Sequence, residues 1–284
     1  MIRLSLLLIL FVSVPAFSAD KTVVGPEKGT LFIVGGGYLS EDLVERFIEL
    51  AGGPDASIVV VPTAGGALKY SDERSDFLRE QGAKNITMLH TTDRKKANSD
   101  SFSKPLLSAS AVWFNGGRQW RLVDAYKDTL TEKRFHEVLA RGGVIGGSSA
   151  GATIQGSYLV RGDTKNNQIM AGDHEVGFGF LKNTAIDQHL LARNRHFDLF
   201  NVLQKKPELL GLGIDEDTAI EVAGDEFVVH GKSYVVVYDG KFWSREGSTL
   251  KILPEKNQLF YFLKAGDHYD LKNRVVSKPA SRPE

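Results

Sequence analysis

The feature that most constrains the fold of this chain is a series of short, predominantly apolar runs that alternate with stretches of helical periodicity. The runs lie at residues 30–34, 57–61, 85–89, 111–114 and 143–147. Between the first two, apolar side chains recur at helical spacing over residues 43–48. Continuous apolar strands separated by helices are typical of a parallel sheet that is covered on both faces. We therefore predict an α/β fold with a doubly wound, mainly parallel sheet.

The pattern changes after about residue 205, where shorter strand-like runs follow one another without intervening helices. The runs lie at residues 211–214, 218–222, 226–229 and 233–237. We predict that they form antiparallel hairpins that extend the same sheet, and that the chain beyond Asn273 is loose. No interdomain linker interrupts residues 20–284, which are predicted to form a single domain.

Glycine clusters follow several of the predicted strands, at residues 35–37, 116–117 and 147–151. The carboxyl ends of parallel strands meet at one edge of a sheet, and α/β folds bind their ligands at that edge. Glycine allows the backbone to approach a ligand closely. We therefore expect the three clusters to surround a functional site.

Residues 147–151 also match the G-x-S-x-G pattern of a nucleophile elbow, with Ser149 at its centre. A serine on a sharp strand-to-helix turn is exposed for attack on a carbonyl carbon, and its neighbours must be small. The N–H of Ala150, at the start of the following helix, can then face the oxyanion. A plain glycine-rich turn is the alternative, but the apolar strand before the pattern and the apolar residues after it favour the nucleophile.

A serine nucleophile needs a base within hydrogen-bond reach and an acid that orients the base. Among the seven histidines, His189 stands out because it follows an apolar strand end and precedes a segment with two arginines. Residues 215–217 supply three carboxylates at another strand end, between apolar neighbours. A carboxylate that points inward needs a partner. This placement predicts the chain order serine, histidine, acid.

The residues alone leave a second order open. An α/β-hydrolase, such as a lipase-like esterase, has the order serine, acid, histidine. That order would be met by the following acids and bases: Asp163, Asp173 or Glu175, with His189 or His230.

Four motifs together carry a resemblance to a known family. They are Phe-Asn-Gly-Gly-Arg-Gln at 114–119, Gly-Gly-Ser-Ser-Ala-Gly-Ala at 146–152, Asp-Gln-His at 187–189 with the arginines that follow, and Gly-Ile-Asp-Glu at 213–216. In order and spacing the set resembles the cyanophycinase and peptidase E (aspartyl dipeptidase) family of serine peptidases, over about residues 28–240. The resemblance implies a flavodoxin-like fold related to class I glutamine amidotransferases.

By motif position, the resemblance implies a catalytic triad of Ser149, His189 and Glu216. It also implies that the backbone N–H groups of Gly117 and Ala150 form the oxyanion hole. No metal-ligand spacing such as H-E-x-x-H occurs in the chain. We therefore expect no metal and no cofactor.

The resemblance further implies a set of substrate-binding residues, since in cyanophycinases the matching positions shape a pocket for β-linked aspartyl-arginine. These residues are Gln119, Asp187, Gln188, Arg193 and Arg195. Arginines and amides can hold a carboxylate of the substrate, and an acidic residue can receive its guanidinium.

Two positions depart from the family pattern. Asp198 stands where cyanophycinases have a further arginine, and Arg118 stands where an acidic residue is common. We expect a secreted serine exopeptidase that hydrolyses cyanophycin (multi-L-arginyl-poly-L-aspartate) or related β-aspartyl and aspartyl peptides. Because of these departures, an aspartyl dipeptidase of the peptidase E type is an alternative. Two further hypotheses for the function are an esterase and a catalytically silent peptide-binding protein.

The N-terminus predicts export. Residues 1–19 have the pattern of a secretory signal peptide, with Arg3 before a short apolar core and small residues at its end. The core is too short to span a bilayer as a permanent helix, so we expect a periplasmic or extracellular protein without stable membrane insertion.

The charge balance and the lack of cysteine exclude some binding partners and some kinds of chemistry. The 35 Lys and Arg balance 35 Asp and Glu, which argues against a nucleic-acid partner. The chain has no cysteine, which excludes disulfides and a thiol nucleophile. The expected partner is a peptide substrate, and a homodimer is left open.

Overall fold

The computed structural model of the protein describes residues 24–278, so the predicted signal peptide at 1–19 lies outside the described residues. The strands are β1 (Thr30–Val34), β2 (Ser57–Val61), β3 (Asn85–Met88), β4 (Ala111–Phe114), β5 (Val144–Ser148), β6 (Gly156–Tyr158), β7 (Leu181–Gln188), β8 (Leu210–Ile214), β9 (Thr218–Ala223), β10 (Glu226–Gly231), β11 (Tyr234–Tyr238), β12 (Tyr261–Lys264), β13 (His268–Asp270) and β14 (Val275–Lys278). The helices are α1 (Glu41–Ala51), α2 (Asp76–Glu80), α3 (Arg94–Ala97), α4 (Asp100–Ser103), α5 (Trp120–Tyr126), α6 (Leu130–Ala140), α7 (Ala150–Thr153) and α8 (Phe200–Leu203).

A nine-stranded sheet forms the centre of the fold, in the order β14-β13-β10-β9-β1-β5-β4-β2-β3. The strands from β1 to β3 in this order are parallel to one another. The others are antiparallel, with β9 paired to β1. Strands β3-β2-β4-β5 follow the flavodoxin-like order 2-1-3-4, and β1 occupies the place of the fifth strand. The predicted α/β fold with a doubly wound parallel core is confirmed.

Both faces of the parallel strands are covered. On one face Phe47 of α1 packs against Trp113 of β4, with ring centroids 4.8 Å apart. On the other face Phe114 of β4 packs edge-on against Phe135 of α6, with centroids 5.0 Å apart. Successive residues of β4 therefore enter opposite cores, which explains why this strand is apolar without alternation.

A second sheet was not predicted. Five strands form it in the order β12-β11-β8-β7-β6, with β6, β7 and β8 parallel and β11 and β12 antiparallel. The expectation that the predicted C-terminal strands all extend the first sheet is therefore wrong for β8 and β11, and β12 was not predicted. The apolar pattern of a short strand shows which faces are buried but does not identify the neighbouring strand.

The end of the chain also differs from the prediction. β14 pairs antiparallel with β13, so residues 275–278 are not loose. None of the helices in the described part of the chain combines the length and apolar character that crossing a bilayer requires.

The two sheets bring five strand ends to one place. In the large sheet, β1, β4 and β5 end at the glycine clusters and at Ser149. In the second sheet, β7 ends just before His189 and β8 ends just before residues 215–217. The candidate site is therefore built at the junction of the two sheets.

Candidate active site

Ser149 lies on a sharp turn between β5 and α7. Its φ of 58° and ψ of −111° are outside the regions that L-residues usually occupy, and its N–H donates to the carbonyl oxygen of Val34 at 3.1 Å. A Cβ on Gly147 would approach the carbonyl oxygen of Gly151 to 2.4 Å, and a Cβ on Gly151 would approach that of Phe114 to 1.9 Å. Only glycine fits at both positions, and this close packing holds Ser149 in a strained, partly exposed conformation.

Ser149, His189 and Glu216 form a continuous hydrogen-bonded chain. Ser149 Oγ lies 2.8 Å from His189 Nε2, and His189 Nδ1 lies 2.5 Å from Glu216 Oε1. A carboxylate only accepts hydrogen bonds, so Nδ1 carries a proton and its N–H donates a hydrogen bond to Glu216. Nε2 is then free to accept from the Ser149 hydroxyl. This geometry suits a nucleophile with a general base and an orienting acid.

The loop between β1 and α1 packs against the base and the acid. A Cβ on Gly36 would lie 2.3 Å from His189 Cε1, and a Cβ on Gly37 would lie 2.5 Å from Glu216 Oε2. The N–H of Asp217, the residue after the acid, donates to the carbonyl oxygen of Gly36 at 3.1 Å. Bare backbone at this loop therefore fills the space beside the imidazole and the carboxylate.

The electrostatic environment keeps His189 neutral. Burial lowers the pKa of its imidazole below the ordinary value, and the hydrogen bond to Glu216 acts in the opposite direction. The positive charges of Arg193 and Arg195 lower this pKa further. Near pH 7 the imidazole is therefore neutral and can accept the proton of Ser149.

The residues of the alternative chain order are engaged elsewhere. Asp163 and Asp173 accept hydrogen bonds within their own loop, Glu175 accepts one from a tyrosine, and His230 lies on β10 beside a glutamate. Within residues 24–278, the ring nitrogens of His189 bond to Ser149 and Glu216. The serine–acid–histidine order of an α/β-hydrolase is therefore wrong for this chain.

One of the two residues predicted to supply the oxyanion hole follows Ser149 directly, and the other follows Gly116, which packs against Ser149. Ala150 is the first residue of α7 and is fully buried. A Cβ on Gly116 would lie 3.3 Å from the Cβ of Ser149. Gly117 follows with a φ of 145°, and a Cβ there would lie 2.1 Å from the carbonyl oxygen of Ala64. The positive φ and the close approach to Ala64 therefore require glycine at 117, whereas a side chain at 116 would crowd Ser149.

Of the predicted substrate-binding residues, Arg193 is exposed, and its side chain makes no ion pair with any residue of the described range. Gln188 and Arg195 are buried and bonded to each other, with Gln188 Oε1 accepting from Arg195 Nη1 at 3.1 Å. Gln119 is 2% exposed. Its Nε2 donates to two carbonyl oxygens, those of residues 160 and 161, at 2.6 and 3.0 Å. Most of this set therefore points into the protein.

Asp187 differs most from its predicted role. Its exposure is 0%, and both carboxylate oxygens accept hydrogen bonds from Arg161, at 2.8 and 3.0 Å. Oδ1 also accepts from the N–H of Gln188 at 2.9 Å. The prediction that Asp187 contacts a guanidinium of the substrate is therefore wrong, because the guanidinium of Arg161 already binds this carboxylate.

Comparison with known proteins places this geometry in a family. Residues 31–230 match the model of peptidase family S51. The chain belongs to peptidase family S51. It is therefore a serine-type peptidase, and the serine at the centre of the elbow fits that class.

Relatives of this S51 peptidase include cyanophycinases. It is 30% identical over 259 residues to the cyanophycinase of Geminocystis herdmanii (strain PCC 6308), covering 86% of this chain and 94% of the relative. It is 28% identical over 274 residues to the cyanophycinase of Synechococcus elongatus, covering 90% and 83% of the two chains.

Solved structures share the fold. A crystal structure of a peptidase from an acI-B1 Actinobacterium superposes with a TM-score of 0.61 at 23% identity, covering 88% of this chain and 98% of that one. A putative peptidase E protein from Listeria monocytogenes EGD-e superposes with a TM-score of 0.52 at 19% identity, covering 72% and 99% of the two chains.

Sequence reasoning missed some residues that shape the site of this S51 peptidase. The glycine cluster at 35–37 predicted a close backbone approach, but it did not show that His189 would be the group approached. Asp217 was only one of three carboxylates, and its Oδ1 accepts from the N–H of Ser40 at 2.8 Å. The sequence around Arg161 gave no sign of its role, because its two carboxylate partners lie 26 and 37 residues away along the chain.

Proposed function

We propose that this S51 peptidase is an exopeptidase that hydrolyses bonds formed by aspartyl residues in cyanophycin or in β-aspartyl dipeptides derived from it. The observation that carries the proposal is the unbroken chain of hydrogen bonds from Ser149 Oγ through His189 to Glu216. The cyanophycinases among its relatives, aligned over most of both chains, support the substrate class.

In the proposed mechanism, Ser149 Oγ attacks the carbonyl carbon while His189 Nε2 takes its proton. The N–H groups of Gly117 and Ala150 stabilise the oxyanion. His189 then gives the proton to the leaving amine, and the acyl group stays on Ser149 until water, activated by the same imidazole, releases it. Glu216 orients the ring and stabilises its charged form throughout.

Arg193 is the proposed anchor for a carboxylate of the substrate. It is exposed and lies close enough to His189 for its charge to lower the imidazole pKa. A guanidinium can hold a carboxylate with two parallel hydrogen bonds. Each arginyl group of cyanophycin has a free carboxylate, and β-aspartyl-arginine has one on each of its two residues, so a guanidinium anchor has a partner in either substrate.

The test is hydrolysis of cyanophycin and of β-aspartyl-arginine by wild type and by Ser149→Ala, His189→Ala and Glu216→Gln. Loss of the nucleophile or base in a serine-protease triad lowers kcat by about 10⁶-fold, and making the acid neutral lowers it by about 10⁴-fold. Ser148→Ala is the matched control, because it removes a hydroxyl one residue away at the end of β5. We expect this control to keep most of the activity.

The outcomes separate the hypotheses. Cleavage of the polymer that depends on Ser149 supports a cyanophycinase. Cleavage of the dipeptide alone indicates an aspartyl dipeptidase of the peptidase E type. A wild type that is inert on both substrates, or an active Ser149→Ala, rejects the proposal.

We also propose that the mature enzyme acts outside the cytoplasm. The signal-peptide pattern at residues 1–19 supports this compartment. The absence of cysteine means that folding there does not depend on disulfide formation.

A further inference from the structure

Arg161 is a buried cation that makes more hydrogen bonds than a simple ion pair. Its side chain is 2% exposed. Nε and Nη2 donate to the two carboxylate oxygens of Asp187, Nη2 also donates to Asp198 Oδ2 at 2.5 Å, and Nη1 donates to the carbonyl oxygen of Asn167 at 3.0 Å. One guanidinium therefore joins three separate points of the chain.

Two of these points are the ends of the segment that carries the base. Residues 187–198 begin at Asp187, end at Asp198, and include His189, Arg193 and Arg195 between them. Both ends bond to the same guanidinium. The side chain of Arg161 therefore closes this segment into a loop.

The backbone of Arg161 ties in the other half of the site. Its carbonyl oxygen and that of Val160 accept from Gln119 Nε2 at 3.0 and 2.6 Å. Gln119 follows the glycine pair 116–117 that adjoins Ser149. A second hydrogen bond links the same two loops, because Arg118 Nη2 donates to the carbonyl oxygen of Asp163, two residues after Arg161.

We propose that Arg161 is a positioning residue that fixes the His189-bearing segment and the glycine loop relative to Ser149. A planar guanidinium can hold two carboxylates and a carbonyl oxygen in one fixed arrangement, whereas an ammonium is a point charge on a flexible stem. Buried ion pairs contribute little net stability. We therefore expect this one to affect mainly the positions of the groups in the site. The proposal rests on the roles proposed for Ser149 and His189.

Asp198 has a part in this arrangement that its sequence position did not suggest. Its side chain is 38% exposed, with one oxygen on Arg161. It holds the far end of the segment, next to the two arginines, while Asp187 holds the end next to His189. We call Arg161 with Asp187 and Asp198 the clamp, and each carboxylate one of its arms. The Asp198 arm acts on the proposed substrate anchor, Arg193, and the Asp187 arm acts on the base.

The test compares Arg161→Lys and Asp198→Ala with Arg245→Lys. Arg245 is the matched control because it makes the same two-pronged pair with a buried carboxylate, Asp267, away from the triad. Each variant is measured for thermal unfolding, for the rate at which a fluorophosphonate labels Ser149, and for kcat and KM on whichever of cyanophycin and β-aspartyl-arginine the wild type cleaves. Labelling needs the nucleophile and base but not the aspartyl pocket.

We expect Arg161→Lys to lower both the labelling rate and kcat/KM by between about 10-fold and 10²-fold, since a misplacement of 1 Å can cost 10²-fold. Asp198→Ala is expected to raise KM several-fold with labelling within about twofold of wild type, because the Asp187 arm still holds the base. Arg245→Lys should keep wild-type labelling and kcat/KM, whatever its unfolding midpoint.

A folded Arg161→Lys with wild-type labelling rejects the proposal, and so does an Arg245→Lys that loses as much activity at the same loss of stability. If Arg161→Lys does not fold, Asp198→Ala decides, and an unchanged KM overturns the clamp. A wild type that is labelled but cleaves neither cyanophycin nor the dipeptide rejects the proposed substrates, and the labelling rates still test Arg161.

Discussion

At the scale of single residues, the site depends on the balance of charge around His189. Burial and the neighbouring arginines favour the neutral imidazole, and the Glu216 carboxylate favours the charged form. The histidine must be neutral to take a proton from Ser149 and charged immediately afterwards. Burial and the arginines lower the pKa of His189, which meets the first requirement, and the adjacent carboxylate meets the second.

This balance predicts the effect of Arg193→Gln on the pH dependence of kcat/KM. Arg193 lowers the His189 pKa, so removing its charge raises that pKa, and the base becomes protonated at a higher pH. The acidic limb of the kcat/KM profile, which reports the free enzyme, should therefore move to higher pH. If the same arginine anchors the substrate, KM rises as well.

Glu216→Gln is the matching variant, for which the acidic limb of the kcat/KM profile is expected to shift in the opposite direction. Its carboxylate raises the His189 pKa, so a neutral amide should move the acidic limb to lower pH while kcat falls. Limbs that stay in place in both variants would show that the titration seen in the kinetics does not belong to His189.

At the scale of elements, the site depends on loops that leave no room for side chains. The turn after β1 approaches the imidazole with bare backbone at Gly36, whose φ is 126°. The turn after β5 does the same around Ser149, where Gly147 and Gly151 face other backbone atoms. Rigid strands end at each of these loops, so the positions of the reacting groups follow from the sheet.

Gly36→Ala tests this packing. Its Cβ would lie 2.3 Å from the imidazole, so the ring must move, and kcat should fall on the order of 10²-fold because small misplacements are costly. Gly53→Ala is the matched control, since Gly53 also has a positive φ, 90°, but a Cβ there meets nothing within 4 Å. Strained backbone alone costs about 1–3 kcal/mol.

Both variants should therefore lower the free energy of unfolding, measured by chemical denaturation, and only Gly36→Ala should lower kcat. Equal kcat in the two variants would mean that the imidazole does not depend on this contact.

At the scale of the whole molecule, one apolar core joins the two sheets. Leu31 of β1, Leu212 of β8 and Val235 of β11 belong to the same cluster of buried side chains. The triad crosses this junction, because Ser149 follows a strand of the large sheet and the base and acid follow strands of the second sheet. The homodimer that the sequence leaves open is not tested by a single chain.

The predicted export can be tested with the chain that includes residues 1–19. Expressed in a bacterium, this chain should be exported and lose residues 1–18 or 1–19, so that N-terminal sequencing of the exported form begins at Ala19 or Asp20. The chain without residues 1–19 should stay in the cytoplasm with the same kcat/KM. Retention of Met1 in the exported or membrane fraction would indicate an uncleaved anchor.

The amino-acid sequence by itself determined the features that depend on neighbours along the chain. Apolar runs predicted the parallel strands of the large sheet, and the small residues around Ser149 predicted a strained turn. The β1–α1 glycines predicted a close approach of backbone. These signals are local, because strand periodicity and turn chemistry depend on residues a few positions apart.

The tertiary structure decided which of these features meet. It assigned β8, β11 and β12 to a second sheet, brought Glu216 rather than the other candidate carboxylates to His189 Nδ1, and turned Asp187 inward onto Arg161. Partners this far apart in the chain are joined by sheet pairing and burial, and neither leaves a local pattern. A charged residue looks the same in sequence whether it binds a substrate or another buried charge.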